Sequence, residues 1–159
     1  MTDDWEDRLA ALWAALDDRD GEAFRAEMEA LVAELPSESP VRPFELGSAF
    51  DSTGHSDRAV PLYRQALALG LEGIRRRRAV IQLASSLRNI GRAQESAAML
   101  AAERDRASDE LDDAVSAFLA LALADAGKER AATAIALQAL AQHLPRYQRS
   151  VGNYARDLI

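Results

Sequence analysis

The chain has 159 residues, carries a net charge of −7 and has a pI near 4.9, a balance that argues against general nucleic-acid binding because the phosphate backbone would be repelled. It contains no cysteine, so disulfides, thiolate nucleophiles and zinc–thiolate sites are excluded. A hydrophobic content of 48% in a chain of this length is enough for one domain with its own core, and the few aromatic and β-branched residues favour helix over sheet. The opening Met1-Thr2-Asp3-Asp4-Trp5-Glu6 is acidic where a signal peptide is basic and then apolar, and no apolar run approaches the roughly 18 residues that span a bilayer. The expectation is a soluble, non-secreted, cytoplasmic protein with no membrane or nucleic-acid partner.

Thr2 and Asp3 suit the N-cap of a first helix whose apolar residues, Trp5, Leu9, Leu12, Trp13 and Leu16, fall on one face. Asp17 to Gly21 is a break. Phe24, Met28, Leu31, Val32 and Leu35 then repeat the same face, so residues 1–36 read as an antiparallel helical hairpin. After the connector Pro36 to Pro40, with Ser39 as cap and Pro40 at the first helical position, helix is expected to about Thr53 and from about Ser56 to Leu69. The next pair runs from about Ile74 to Ile90 and from Ala93 to Ala107. A further pair runs from about Asp109 to Ala126 and from Glu129 to His143. Pro145 opens a last helix, with Tyr147, Val151, Tyr154 and Leu158 on one face. That makes nine helices, and the short connectors between them rule out a parallel α/β arrangement.

Three of these hairpins share a pattern. Each first helix carries a large residue followed by a small one, Leu46-Gly47, Leu83-Ala84 and Leu119-Ala120. A large apolar residue comes three later, at Phe50, Leu87 and Leu123, and a glycine closes the helix, at Gly54, Gly91 and Gly127. A small residue then opens the second helix, at Ala59, Ser96 and Ala132, and Tyr63 and Ala66 continue the pattern in the first repeat. The copies lie 37 and 36 residues apart. In this order of residue types the chain resembles the tetratricopeptide repeat family, specifically over about 40–143 and loosely throughout. The small residues let paired helices approach and the large ones fill the space between hairpins. The pattern is broken at Glu103, where a small residue belongs, at Ala136, where a large one belongs, and at Pro43, Val80 and Ser116, where an aromatic is usual. The resemblance implies an all-α, right-handed α-solenoid of antiparallel helix hairpins in a single domain. Its parts are an N-terminal hairpin (1–36), three repeats (40–70, 74–107 and 109–143) and a C-terminal capping helix (145–159).

Little in the chain points to catalysis. The two histidines, His55 and His143, fall in different units, His55 beside a turn and His143 at a helix end, so neither a metal site nor a cofactor is expected. Ala126-Gly127-Lys128 lacks both the first glycine and the Ser/Thr of a phosphate loop. The pairs Asp17-Asp18 and Asp112-Asp113 suit helix ends and solvation better than acid–base work. The run Arg75 to Arg78 cannot form one patch, because successive helical residues turn by about 100°. Its arginines either pair with acids of adjacent hairpins or, through Arg78, enter a binding groove and meet an acidic peptide or terminal carboxylate.

In the family this chain resembles, first helices line a concave surface that binds a peptide. The resemblance therefore implies a non-catalytic scaffold binding a protein or peptide segment. The exposed positions it implies are Phe44, Ser48, Asp51 and Ser52 in the first repeat, Arg78, Ile81, Ser85, Arg88 and Asn89 in the second, and Ala117, Leu121 and Asp125 in the third. Arg88 could hold a carboxylate bidentately and Asn89 could clamp a peptide backbone, unless Arg88 simply pairs with Asp51. The lysine–asparagine clamp of chaperone-binding members is missing. A second possibility is a homodimer formed on Trp5 and Trp13, should the next hairpin leave those rings uncovered.

Overall fold

A computed structural model describes residues 3–106 and 108–159; Thr2, read above as a cap, and Ala107, the expected end of the second repeat, lie outside the described residues. Among the described residues all regular structure is helical. The helices are α1 (Asp3–Ala14), α2 (Gly21–Ala33), α3 (Val41–Ser52), α4 (Ser56–Ala68), α5 (Gly73–Asn89), α6 (Ala93–Arg106), α7 (Asp112–Asp125), α8 (Glu129–Ala141) and α9 (Gln148–Arg156), with one 3-10 turn at Leu16–Asp18. The chain divides into two compact units, Met1–Ala79 and Val80–Ile159, with the boundary inside α5.

In the first unit α1 packs on α2, and α2 on α3. The expected break between α1 and α2 contains the 3-10 turn, and Asp20 then caps α2, its carboxylate accepting the Glu22 and Ala23 N–H groups at 3.0 and 3.3 Å. Ser39 supplies no side-chain cap to α3; Pro40 holds the position before its first turn. α3 and α4 form a tight antiparallel pair because Gly47 has no side chain. A Cβ there would sit 3.1 Å from Cβ of Leu62 and 3.2 Å from the Tyr63 ring. Gly47→Val should therefore cost about 2 kcal/mol by overpacking, read as a lower urea midpoint at unchanged slope; an unshifted midpoint would mean that the pair is not in contact there.

In the second unit Ile81 and Ala84 of α5, Ala97 and Leu100 of α6, Val115, Leu119, Ala120 and Ala122 of α7, and Ala132 and Ile135 of α8 form one apolar cluster. Gly91 ends α5 with φ of 82°, which lets Gly91 N–H reach the Arg88 carbonyl at 3.0 Å and Arg92 N–H reach the Leu87 carbonyl at 2.8 Å. α9 departs from expectation. It begins at Gln148 rather than at Pro145, because Tyr147 takes a left-handed conformation, φ 69°, just before it. Tyr147 and Tyr154, expected on the packed face, are exposed, and α9 instead approaches α8 through Gly152, beside Ala141, and through the Leu158 carbonyl, which accepts from Arg130 Nε at 2.8 Å.

Candidate functional site

The twelve positions expected on the exposed face of the first helices separate into three groups. Phe44, Ser48 and Ile81 are buried, at 0%, 1% and 6% exposure, which overturns their expected exposure. Phe44 lies against the Tyr63 ring, centroids 6.3 Å apart, beneath the Arg78 guanidinium. Ser48 donates to the Phe44 carbonyl at 3.0 Å and meets the Tyr63 hydroxyl at 3.5 Å. Ile81 belongs to the cluster of the second unit. Asp51 is half-buried and accepts from Ser56 Oγ at 3.0 Å, at the start of α4; Ser52 and Arg78 are exposed as expected, with the Arg78 guanidinium 5.3 Å from the Phe44 ring centroid.

The remaining positions do come together. Ser85 and Arg88 are partly exposed and Asn89 is exposed on α5, while Ala117, Leu121 and Asp125 are exposed on α7. Arg88 Nε donates to Asp125 Oδ2 at 2.6 Å, with both side chains open to solvent in part. This contact bridges α5 and α7, which the apolar cluster beneath holds together, and gives one strip bearing a guanidinium, an amide, a hydroxyl and a leucine.

Burial follows the repeat register. The 37- and 36-residue periods align Phe44 with Ile81 and Ala117, Tyr63 with Leu100 and Ala136, and Val60 with Ala97 and Thr133. In each set the first two members are buried and the third is exposed. In the second unit the reason is direct. α7 lays Val115, Leu119 and Ala122 into one cluster with Ile81, Ala97 and Leu100, whereas among the described residues α9 packs on another side of α8 and leaves the matching face of the α7–α8 pair open. There the surface opens into a groove of about 630 Å³ lined by Ala117, Leu121 and Ala124 of α7 and Ala136, Ala139 and Leu140 of α8. At its end Asp113 accepts from Gln142 Nε2 at 2.5 Å and lies 2.8 Å from His143 Nε2. The α8 side of this groove was missed in the sequence, although Ala136, small where a large residue belongs, was its signal.

The arginine run is largely taken up inside the first unit. Arg75 bonds Glu6 at 2.6 Å and Glu45 at 3.3 Å. Glu45 is 1% exposed and also accepts from Trp13 Nε1 at 3.1 Å. Burial pushes its carboxyl above the usual range, outweighing the pull of Trp13 and Arg75 in the other direction. The two indoles are likewise engaged. Trp5 is 3% exposed with Nε1 donating to the Leu31 carbonyl at 3.0 Å, and the Trp13 ring centroid lies 5.2 Å from that of Phe24. Trp5 and the half-buried Trp13 thus join α1 to α2 and α3.

Comparison with known proteins adds one finding to this geometry. The model of the family described as Tetratrico peptide repeat matches residues 40–158. The chain belongs to the tetratricopeptide repeat family. Repeats of this family generally mediate protein–protein interaction and are generally non-catalytic. No curated protein and no solved structure matches the chain significantly. The matched span begins just before α3 and reaches through α9. Among the described residues no helix of this tetratricopeptide repeat protein is long and apolar enough to cross a membrane, and no cluster of three or more acidic or histidine side chains could hold a metal ion.

Proposed function

We propose that this tetratricopeptide repeat chain is a non-catalytic interaction module that binds a protein or peptide segment along the strip formed by Ser85, Arg88 and Asn89 of α5 with Leu121 and Asp125 of α7. The observation that carries this reading is the Arg88–Asp125 contact, which sets two first helices together with donors still open to solvent. Such an exposed ion pair is worth at most about 1 kcal/mol, so a carboxylate brought by a ligand can displace Asp125 from the guanidinium at small cost. Asn89 beside it is exposed and carries an amide of the kind that can pair with a peptide backbone.

Affinity capture from the native cell tests this. The Arg88→Ala, Asn89→Ala double variant should lose the captured partner, with affinity falling at least about tenfold, the worth of one charge-assisted hydrogen bond. Capture by the double variant at wild-type strength contradicts the reading. Both residues are partly or fully exposed, so the thermal transition should stay within about 0.5 kcal/mol of wild type.

A further inference from the structure

We infer that the α7–α8 groove is a second binding site, adjoining the polar strip at Leu121, which receives one amphipathic α-helix of a partner protein, seated as α7 seats on the face formed by Ile81, Ala97 and Leu100. The occupant is identified by the chain itself. At matching register positions of the preceding repeat, what covers the surface is a helix with apolar residues at i, i+4 and i+7, namely Val115, Leu119 and Ala122. The floor of the groove is continuous with that interface, since Ala120 and Ala132 belong both to the apolar cluster and to the groove lining. Leu121 and Leu140 both line this groove with 46% and 51% exposure, two large apolar side chains on one open apolar surface. Ala136 stands where the earlier copies of the pattern carry Tyr63 and Leu100, so the groove lacks a large side chain at this point and calls for a bulkier residue from the incoming helix.

The chain does not fill this site from its own described residues. With 100° per residue, Arg130, Ala134 and Ala141 lie on the opposite side of α8 from Ala132, Ala136 and His143, and α9 is held on the Arg130 and Ala141 side. A second copy is a poor occupant. A net charge of −7 repels copies from one another.

The probe is a fluorescein-labelled, hydrocarbon-stapled peptide of residues 112–125 carrying Ala122→Leu, titrated against the full chain by fluorescence anisotropy. Saturable binding is expected, weakened at least about tenfold by Ala136→Glu or Ala117→Glu in the protein, both at exposed helical positions where folding is checked by circular dichroism. The Arg88→Ala, Asn89→Ala variant should bind the peptide as wild type does, which separates this site from the polar strip. Absence of saturable binding, equal binding of a peptide carrying Leu119→Glu, or full binding by both alanine-to-glutamate variants overturns the inference. So does light scattering that shows a wild-type dimer made monomeric by Ala136→Glu, because the occupant is then a second copy.

Discussion

Replacing Tyr63 by alanine will cost about 4 kcal/mol of stability, the usual loss for removing a fully buried aromatic ring from a packed core. Tyr63 is 0% exposed, and its ring fills the space that Gly47 leaves between α3 and α4 while meeting Phe44. Tyr63→Phe keeps the ring and gives up only a 3.5 Å contact between its hydroxyl and Ser48, so it should cost less than about 1 kcal/mol. Urea unfolding of the two variants checks this. A loss shared equally by both would place the stabilisation in the hydroxyl rather than in the ring. The aligned third-repeat residue gives an internal control, since Ala136→Gly removes one exposed methyl and should cost only the helix-propensity difference of about 1 kcal/mol.

Glu45→Ala should cost about 3 kcal/mol. It leaves Trp13 Nε1–H without its acceptor, takes one of the two carboxylates from Arg75 and opens a void where a buried side chain stood. Glu45→Gln should cost less than Glu45→Ala at neutral pH, about 1 kcal/mol, because no charge has to be buried and no void opens, although the single amide oxygen accepts from only one of Trp13 Nε1 and Arg75 Nε and the amide NH2 faces the other. The pH dependence has a definite sign. Burial raises the Glu45 carboxyl above its unfolded value, so the folded state binds this proton more tightly than the unfolded chain does. The stability this contributes is fully present below the unfolded value, about pH 4.3, and is lost as pH rises through the higher folded value. Wild type should therefore lose stability relative to Glu45→Gln across that interval. Should the glutamine variant be as damaged as the alanine variant at pH 7, the charge pairing with Arg75 would be what holds α3 there.

Much of this was legible in the residues. Leu83, Ala84, Leu87 and Gly91, with their counterparts in the other two repeats, announce a helix, its packed face and its end, because each depends on local spacing and on a neighbour at fixed distance in the chain. Exposure on the other face is a different kind of property. Phe44, Ile81 and Ala117 share a register position, yet the first two are buried and the third is open. What separates them is whether another helix follows on that pair, which no residue at the position itself encodes. The same holds for Trp5 and Trp13. Their spacing marks an apolar face, but the acceptors that take up the indole N–H groups, the Leu31 carbonyl and Glu45, lie 26 and 32 residues away. Arg88 could be seen to want an acid; that Asp125 provides one depends on α5 and α7 being placed side by side. The start of α9 was misread because proline marks a permitted first turn, whereas the left-handed Tyr147 decides where the helix begins.

Amide hydrogen exchange of the full chain, with and without a protein partner captured from the native cell, tests the binding strip most directly. The account predicts slowed exchange confined to 85–89 of α5 and 121–125 of α7, with loss of that protection in the Arg88→Ala, Asn89→Ala variant. Protection confined to α4 and α6, with 85–89 and 121–125 exchanging as in the unbound chain, would contradict it.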